Sequence, residues 1–251
     1  MKEPKFVAVS TQKGGAGKTT LTVALASYLY YCKGVKVLVV DCDYPQYSID
    51  DMRKREKALL ELSPVFKKTF SDTLVRTKLR PFPVLVCPPE EAMLKIRDIV
   101  ENSEDIDLVF FDLPGTVNNR GVVNVVNCMD MVIVPVAADN VVLESSLAFA
   151  LKLNEWLTSG RSQIKGLYML WNMVDAREKT DLYDRYEKLF EELGLQTLKT
   201  RVPDTKKYRR EGSETLERAV FRSTVMPPDK TLLKGTRLTE LAEEFLSIIE
   251  I

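Results

Sequence analysis

The sequence predicts an α/β protein: a single doubly wound domain spanning residues 1–251, on a mainly parallel sheet flanked by helices. Short apolar runs rich in β-branched residues, at 6–9, 35–40, 108–111 and 131–136, alternate with stretches of helical spacing. These runs carry no polar alternation, as in strands buried on both faces. No repeat or low-complexity linker interrupts the order, which leaves room for about seven strands.

The first strand, residues 6–9, runs into S-T-Q-K-G-G-A-G-K-T-T at 10–20, and a helical pattern starts near Lys18. A glycine-rich turn between strand and helix is suited to hold phosphate. Gly14, Gly15 and Gly17 can take backbone angles closed to other residues, so that amides from Gly14 through Ala16 to Thr20 point at an anion at the helix N-terminus. Lys18 then reaches the β- and γ-phosphates, and the Thr19 hydroxyl is placed to ligate the Mg²⁺ that bridges them. Against the pattern G-x-x-x-x-G-K-[ST], Gln12 replaces the first glycine and Lys13 adds a second lysine.

The following helix is apolar on much of its circumference, Gly34 suits its end, and the strand at 35–40 delivers D-C-D-Y-P-Q. Asp41 and Asp43 thus stand at a strand's carboxyl end beside the loop, where carboxylates hold Mg²⁺ waters or orient an attacking water; two solvated turn aspartates are the alternative. S-I-D-D at 48–51 reads as a capping-box-like helix start, and the charged run that follows is a solvated face or a partner face. A helix near 70–78 precedes Pro81 and Pro83 and a short strand at 84–87; Pro88 and Pro89 open the next helix.

I-D-L-V-F-F-D-L-P-G brings Asp112 to the end of another buried strand, where it can hold a Mg²⁺ water or Thr19, and Gly115 lets a backbone amide approach the γ-phosphate. Beyond the strand at 131–136, the pattern predicts helices at 143–157 and 178–193, strands at 164–170 and 197–202, and Pro203 after the last strand. The segment from Asp204 is basic: Lys206, Lys207, Arg209, Arg210, Arg218 and Arg222, with Tyr208 among them, and Lys230, Lys234 and Arg237 beyond. Cations interleaved with an aromatic can neutralise nucleic-acid phosphates; a solvated basic loop is the other reading. The closing helix, 236–251, is apolar on one face and acidic on the other, which predicts packing onto the core rather than a membrane surface.

Composition narrows the function classes. The chain has no histidine, which removes His-based acid–base catalysis and His metal ligands. Its 36 basic and 36 acidic residues balance, so any DNA surface is a local patch. Cys32, Cys42, Cys87 and Cys128 form no C-x-x-C pair, which argues against zinc or iron–sulfur centres and for reduced thiols, used as small buried hydrophobes in a cytoplasm. No signal-peptide pattern and no membrane-length apolar run are present, so no membrane anchor is expected.

K-G-G-A-G-K-T-T resembles the deviant Walker A loop of the ParA/MinD class of P-loop ATPases, and D-C-D-Y-P-Q, F-F-D-L-P-G, M-V-D-A-R and R-V-P extend the likeness to ParA/Soj proteins over nearly the whole length. Within that family the chain looks most like the ParA-like TraA proteins of conjugative transposons. The resemblance implies ATP and Mg²⁺ as cofactors, homodimer formation on ATP binding, and Lys13 crossing to the partner subunit's nucleotide. It also implies that Asp43 serves hydrolysis, that Asn172 and Pro203 lie near the adenine (with Asn172 otherwise a plain strand-terminating residue), and that Thr19, Asp43 and Asp112 surround the metal. It further implies non-specific DNA binding through the C-terminal basic residues, a ParB-like or transfer-system protein that stimulates slow hydrolysis, and nucleoid association of the ATP-bound form. Tyr44 is an insertion relative to the family pattern. Competing classes are a nucleotide-controlled regulator or scaffold with negligible turnover, and a metabolic P-loop ligase of the dethiobiotin-synthetase kind.

Overall fold

A computed structural model describes residues 3–12, 14–102, 105–116, 119–177, 180–213 and 219–251. Among these, seven strands form one sheet in the order β3-β2-β4-β1-β5-β6-β7, with every pairing parallel. The strands are β1 Lys5–Val9, β2 Val37–Asp41, β3 Val84–Val86, β4 Leu108–Asp112, β5 Met131–Val136, β6 Gly166–Trp171 and β7 Gln196–Thr197. Helices α1 Lys18–Tyr28, α2 Ser48–Leu62, α3 Pro64–Thr77, α4 Pro89–Glu101, α5 Arg120–Asn127, α6 Asn140–Thr158, α7 Thr180–Glu192, α8 Lys230–Leu233 and α9 Leu238–Ile249 surround it. A π-helical turn, Leu29–Lys33, prolongs α1 until Gly34 at φ 76° ends it.

Strands β2, β4 and β5 are buried on both faces because period-two alternation sends successive side chains to two cores. Val7, Val9, Val39, Phe110 and Ile133 join α1 and α9 on one side; Ala8, Leu38, Val40, Phe111 and Val132 join the core that also holds Ala92, Val122, Phe149 and Phe190 on the other. Phe110 stacks on Phe245 of α9 at 5.6 Å, which fixes the closing helix against the middle of the sheet. The helix packs onto the core as the sequence predicts, and its acidic side is partly used by the protein: Glu244 accepts the amides of Lys199 and Thr200 and Glu243 pairs with Lys33.

Register places the site. Val9, Asp41 and Asp112 lie side by side at the carboxyl ends of β1, β2 and β4. This edge is where open parallel sheets bind ligands.

Several expectations change. The capping-box reading of S-I-D-D fails: Tyr47, at φ 43°, is the N-cap of α2 and contributes no side-chain hydrogen bond. Asp41 supplies the acceptor instead, its Oδ2 receiving the amides of Ile49 and Asp50 at 2.9 Å each. Helix α3 begins six residues earlier than the apolar spacing suggests, because Pro64 takes the first helical position and the Ser63 hydroxyl accepts from Phe66 N. Helix α5 has no counterpart in the sequence reading; four valines in eight residues concealed it, and Asn119 caps it through Gly121 N and Val122 N. The strand at 197–202 shortens to β7, after which the chain follows β6 only through Leu198, Val202 and a bridge between Val174 and Pro203. Cys42 and Cys87 are buried, but Cys32 is exposed.

The C-terminal segment locks α2 in place. Arg53 donates to Thr224 Oγ1 at 2.7 Å and, through Nη2, to the carbonyls of Thr224 and Phe82 at 2.9 Å. Glu56 accepts from both the amide and the hydroxyl of Thr224, and its second oxygen is buried without a partner among the described residues. Removing Arg53 would leave that carboxylate buried without its cation. Arg53→Ala is therefore expected to cost ~3 kcal/mol in urea unfolding, and a loss under ~1 kcal/mol would show that the network is dispensable.

Candidate nucleotide site

Gly15 and Gly17 adopt φ of 82° and 88°, the left-handed region a β-carbon disfavours, and Gly17 is the N-cap of α1. A β-carbon on Gly17 would also stand 2.4 Å from Asn172 Nδ2. The loop is thus a tight cradle at a helix N-terminus, whose exposed amides and dipole favour an anion.

Its walls are braced from three sides. Asn172, buried at the end of β6, donates to the Ala16 carbonyl at 2.8 Å. Thr11 and Ser146 share a buried hydroxyl contact of 2.9 Å, and Ser146 donates on to Pro135 O. Gly115 packs under the loop: a β-carbon there would stand 3.1 Å from Gln12 O and 3.2 Å from Lys18 Nζ. Lys18 and the loop therefore lie against the backbone that follows β4.

Asp112 is fully buried and accepts from Thr19 Oγ1 at 2.7 Å through Oδ2, while Oδ1 has no partner among the described residues. A buried, orphaned carboxylate oxygen beside a phosphate loop fits Mg²⁺ or one of its waters. Burial raises the Asp112 carboxyl to about 7; the charges of Asp41 and Asp43 push the same way, while Thr19 and Lys18 oppose them. Asp43 is half-buried, its carboxyl raised by burial and lowered by Lys18.

The other expected residues divide. Asp41 is buried and spent on the α2 N-terminus, with Oδ1 accepting the Asp43 amide at 3.3 Å. It is neither a solvated turn aspartate nor turned to the loop; it shapes the segment that presents Asp43. Pro203 bridges Val174, two residues beyond Asn172, whose side-chain amide goes to Ala16 O. Lys13 lies outside the described residues, as does Arg218.

The basic segment is not one patch. Lys206, Lys207, Tyr208 and Arg209 form a 3₁₀ turn in which Lys206 and Arg209 are exposed and Lys207 donates to Lys234 O. Tyr208 is buried, edge-on to Phe221 at 4.9 Å and donating to Thr236 O at 3.0 Å. It is a core residue, so the expected interleaving of cations with an exposed aromatic is absent. Arg210 is half-buried, and Arg222 leaves the patch altogether: it donates to Thr20 Oγ1 and to Glu211.

Beside Thr19 opens a cavity of ≈ 410 Å³, lined by Gln46, Ser48, Arg55, Glu211 and Arg222 among others. Sequence reasoning missed Ser146, Arg55, Glu211 and the true place of Arg222, since nothing local to those residues announces a partner more than a hundred positions away. A larger cavity, ≈ 930 Å³, lies between α3 and residues 219–231 and includes no phosphate-loop residue.

The chain matches the family described as CobQ/CobB/MinD/ParA nucleotide binding domain over residues 7–217. It is 27% identical over 192 residues to the sporulation initiation inhibitor protein Soj of Bacillus subtilis, covering 69% of this chain and 74% of that one. Two solved structures share the fold. One is a Borrelia burgdorferi plasmid partition protein bound to AMPPNP, with TM-score 0.56, 17% identity, and coverage of 98% of this chain and 100% of that one. The other is the cobyrinic acid a,c-diamide synthase of Mycobacterium smegmatis with an ATP analogue and magnesium, with TM-score 0.61, 20% identity, and coverage of 97% and 94%. Among the described residues no helix is long and apolar enough to cross a membrane.

The buried Asp112 makes a pH prediction. Its folded value, about 7, lies above the ordinary 3.8, so its contribution to stability is complete below the unfolded value and is lost as pH rises through about 7. The ligand-free chain should therefore lose up to about 4 kcal/mol in urea between acid and mildly alkaline pH from this group. Asp112→Asn should flatten that slope, and an unchanged slope would contradict the assignment.

Proposed function

The chain belongs to the CobQ/CobB/MinD/ParA nucleotide-binding domain family, and we propose that, as a single ParA-like ATPase domain, it works as a Mg·ATP-dependent dimerising switch. In its ATP-bound form it binds DNA without sequence preference, in partition or conjugative transfer of a mobile element. The observation that carries this reading is the Thr19–Asp112 hydrogen bond with its orphaned Asp112 oxygen, set beneath a loop that also carries Lys13.

In this reading Lys18 and the amides from Gly14 to Thr20 hold the phosphates, and Thr19, Asp112 and Asp43 would hold Mg²⁺ or its waters. When bound there, Mg²⁺ would supply positive charge against the phosphates. Asp43, presented by the segment that Asp41 anchors, orients the attacking water in line with the γ-phosphate. Asn172 fixes the loop through Ala16 and, with Pro203, borders the adenine. Lys13 completes the partner subunit's site, so ATP is the dimerising ligand. The likeness to Soj and to the Borrelia partition protein supports the partition side of this reading.

The DNA surface is the turn that exposes Lys206 and Arg209, flanked by the half-buried Lys207 and Arg210; Arg222 does not belong to it. Hydrolysis is slow until a ParB-like or transfer-system protein stimulates it, and it releases both dimer and DNA. The ATP-bound form is then nucleoid-associated in a cytoplasm. A metabolic ligase would share the fold but has no use for Lys13. A nucleotide-controlled scaffold would show no turnover even with the partner present.

Fluorescence anisotropy of a mixed-sequence duplex tests the switch. Mg·ATP should tighten binding by about tenfold or more over ADP, with a steep fall in added salt. Lys206→Ala with Arg210→Ala should weaken DNA binding while leaving the ATP dissociation constant alone. Equal affinity with ATP, ADP and no nucleotide would overturn the reading.

A further inference from the structure

Arg222 stands where a cation is hard to explain in a ligand-free protein. The carbonyl of Arg210 accepts the amides of both Phe221 and Arg222, at 2.9 and 3.0 Å, a neck that sets Glu211 opposite Arg222. From this neck the Arg222 guanidinium donates Nη2 to Glu211 and Nη1 to the hydroxyl of Thr20, while its Nε is buried with no partner among the described residues. Glu211 is shared, its other oxygen accepting from Arg55 of α2 at 3.2 Å. Two arginines thus compete for one carboxylate beside the cavity that Thr19 lines.

Thr20 is the third residue of α1, directly after the residue that touches Asp112. Helix N-termini are positive ends, and Lys18 already adds a charge there, so a guanidinium on Thr20 has the wrong sign for an empty loop and the right sign for a filled one. Chemistry at the hydroxyl agrees. A threonine oxygen that accepts from an arginine keeps its single hydrogen for another acceptor, and a bound phosphate oxygen is the acceptor this loop is shaped for.

We propose that Arg222 is a positioning residue of the nucleotide site. It holds the Thr20 hydroxyl as a donor toward the bound polyphosphate, it adds a positive charge at the loop's outer edge, and Glu211 keeps it there in the ligand-free state. The inference rests on the reading of residues 10–20 as an ATP site. It also removes Arg222 from the DNA surface and ties the neck formed by Arg210, Phe221 and Arg222 to the phosphates.

The test is a double-mutant cycle on Mg·ATP affinity, read with a fluorescent ATP analogue. Arg222→Ala and Thr20→Val should each weaken binding about tenfold, the size of one charge-assisted hydrogen bond, and the double variant should be no weaker than Thr20→Val alone. Arg222→Lys should recover part of the loss. A merely structural neck would lower the melting temperature without coupling to Thr20. Should Arg222→Ala not fold, Thr20→Val and Arg222→Lys still decide. The proposal is overturned by unchanged affinity in Thr20→Val, by Arg222→Ala within about twofold of the parent, or by additive losses. A parent chain that binds no Mg·ATP overturns both this inference and the reading beneath it. A parent that binds while the variants match it overturns this inference alone.

Discussion

The Asp112 carboxylate, fully buried at the end of β4 with one oxygen on Thr19 and the other unpartnered, is the constraint from which the rest of the site follows. A lone anion in such a place is costly, and two further aspartates raise the cost. The fold opposes it with local positive potential: the N-terminus of α1, the Thr19 hydroxyl and Lys18. What remains without a partner among the described residues is the second Asp112 oxygen. A divalent cation held by Thr19 and Asp112 would remove the deficit, which is how binding would stabilise the ligand-free site.

That electrostatic arrangement is kept in register by groups that never face the ligand. Asp41 lies beside Asp112 in the sheet, yet its oxygens go to the amides of Asp43, Ile49 and Asp50, converting a second buried acid into the anchor for α2. Helix α2 in turn carries Arg53 and Glu56 to Thr224 and Arg55 to Glu211. The C-terminal segment therefore reaches the phosphate loop by two routes, through α2 and through Arg222 on Thr20. A change in charge at the loop has a short physical path to the turn of Lys206 and Arg209.

Most of the sheet was legible because its strands obey a local rule: apolar runs of about five residues bounded by turns. The phosphate loop and Asp112 were legible for the same reason, since strand, turn and helix are adjacent in sequence. What escaped depended on distance. Asp41 looked like a ligand because a carboxylate at a strand end has two chemical uses, and only the backbone path of residues 43–50 chooses between them. Tyr208 and Arg222 looked like one basic surface because charge clusters are read along the chain. The fold turns one into the core and carries the other back to α1. Ser146 is silent in the sequence, a mid-helix serine whose partner, Thr11, is 135 positions away.

Everything proposed about function turns on whether ATP assembles two copies of this chain through the loop that carries Lys13. Sedimentation velocity of the parent chain with Mg·ATP, with Mg·ADP and without nucleotide asks this directly. The account predicts a dimer with ATP alone, reverting to monomer in ADP. A monomer that binds ATP and never associates, or a dimer indifferent to nucleotide, would contradict it.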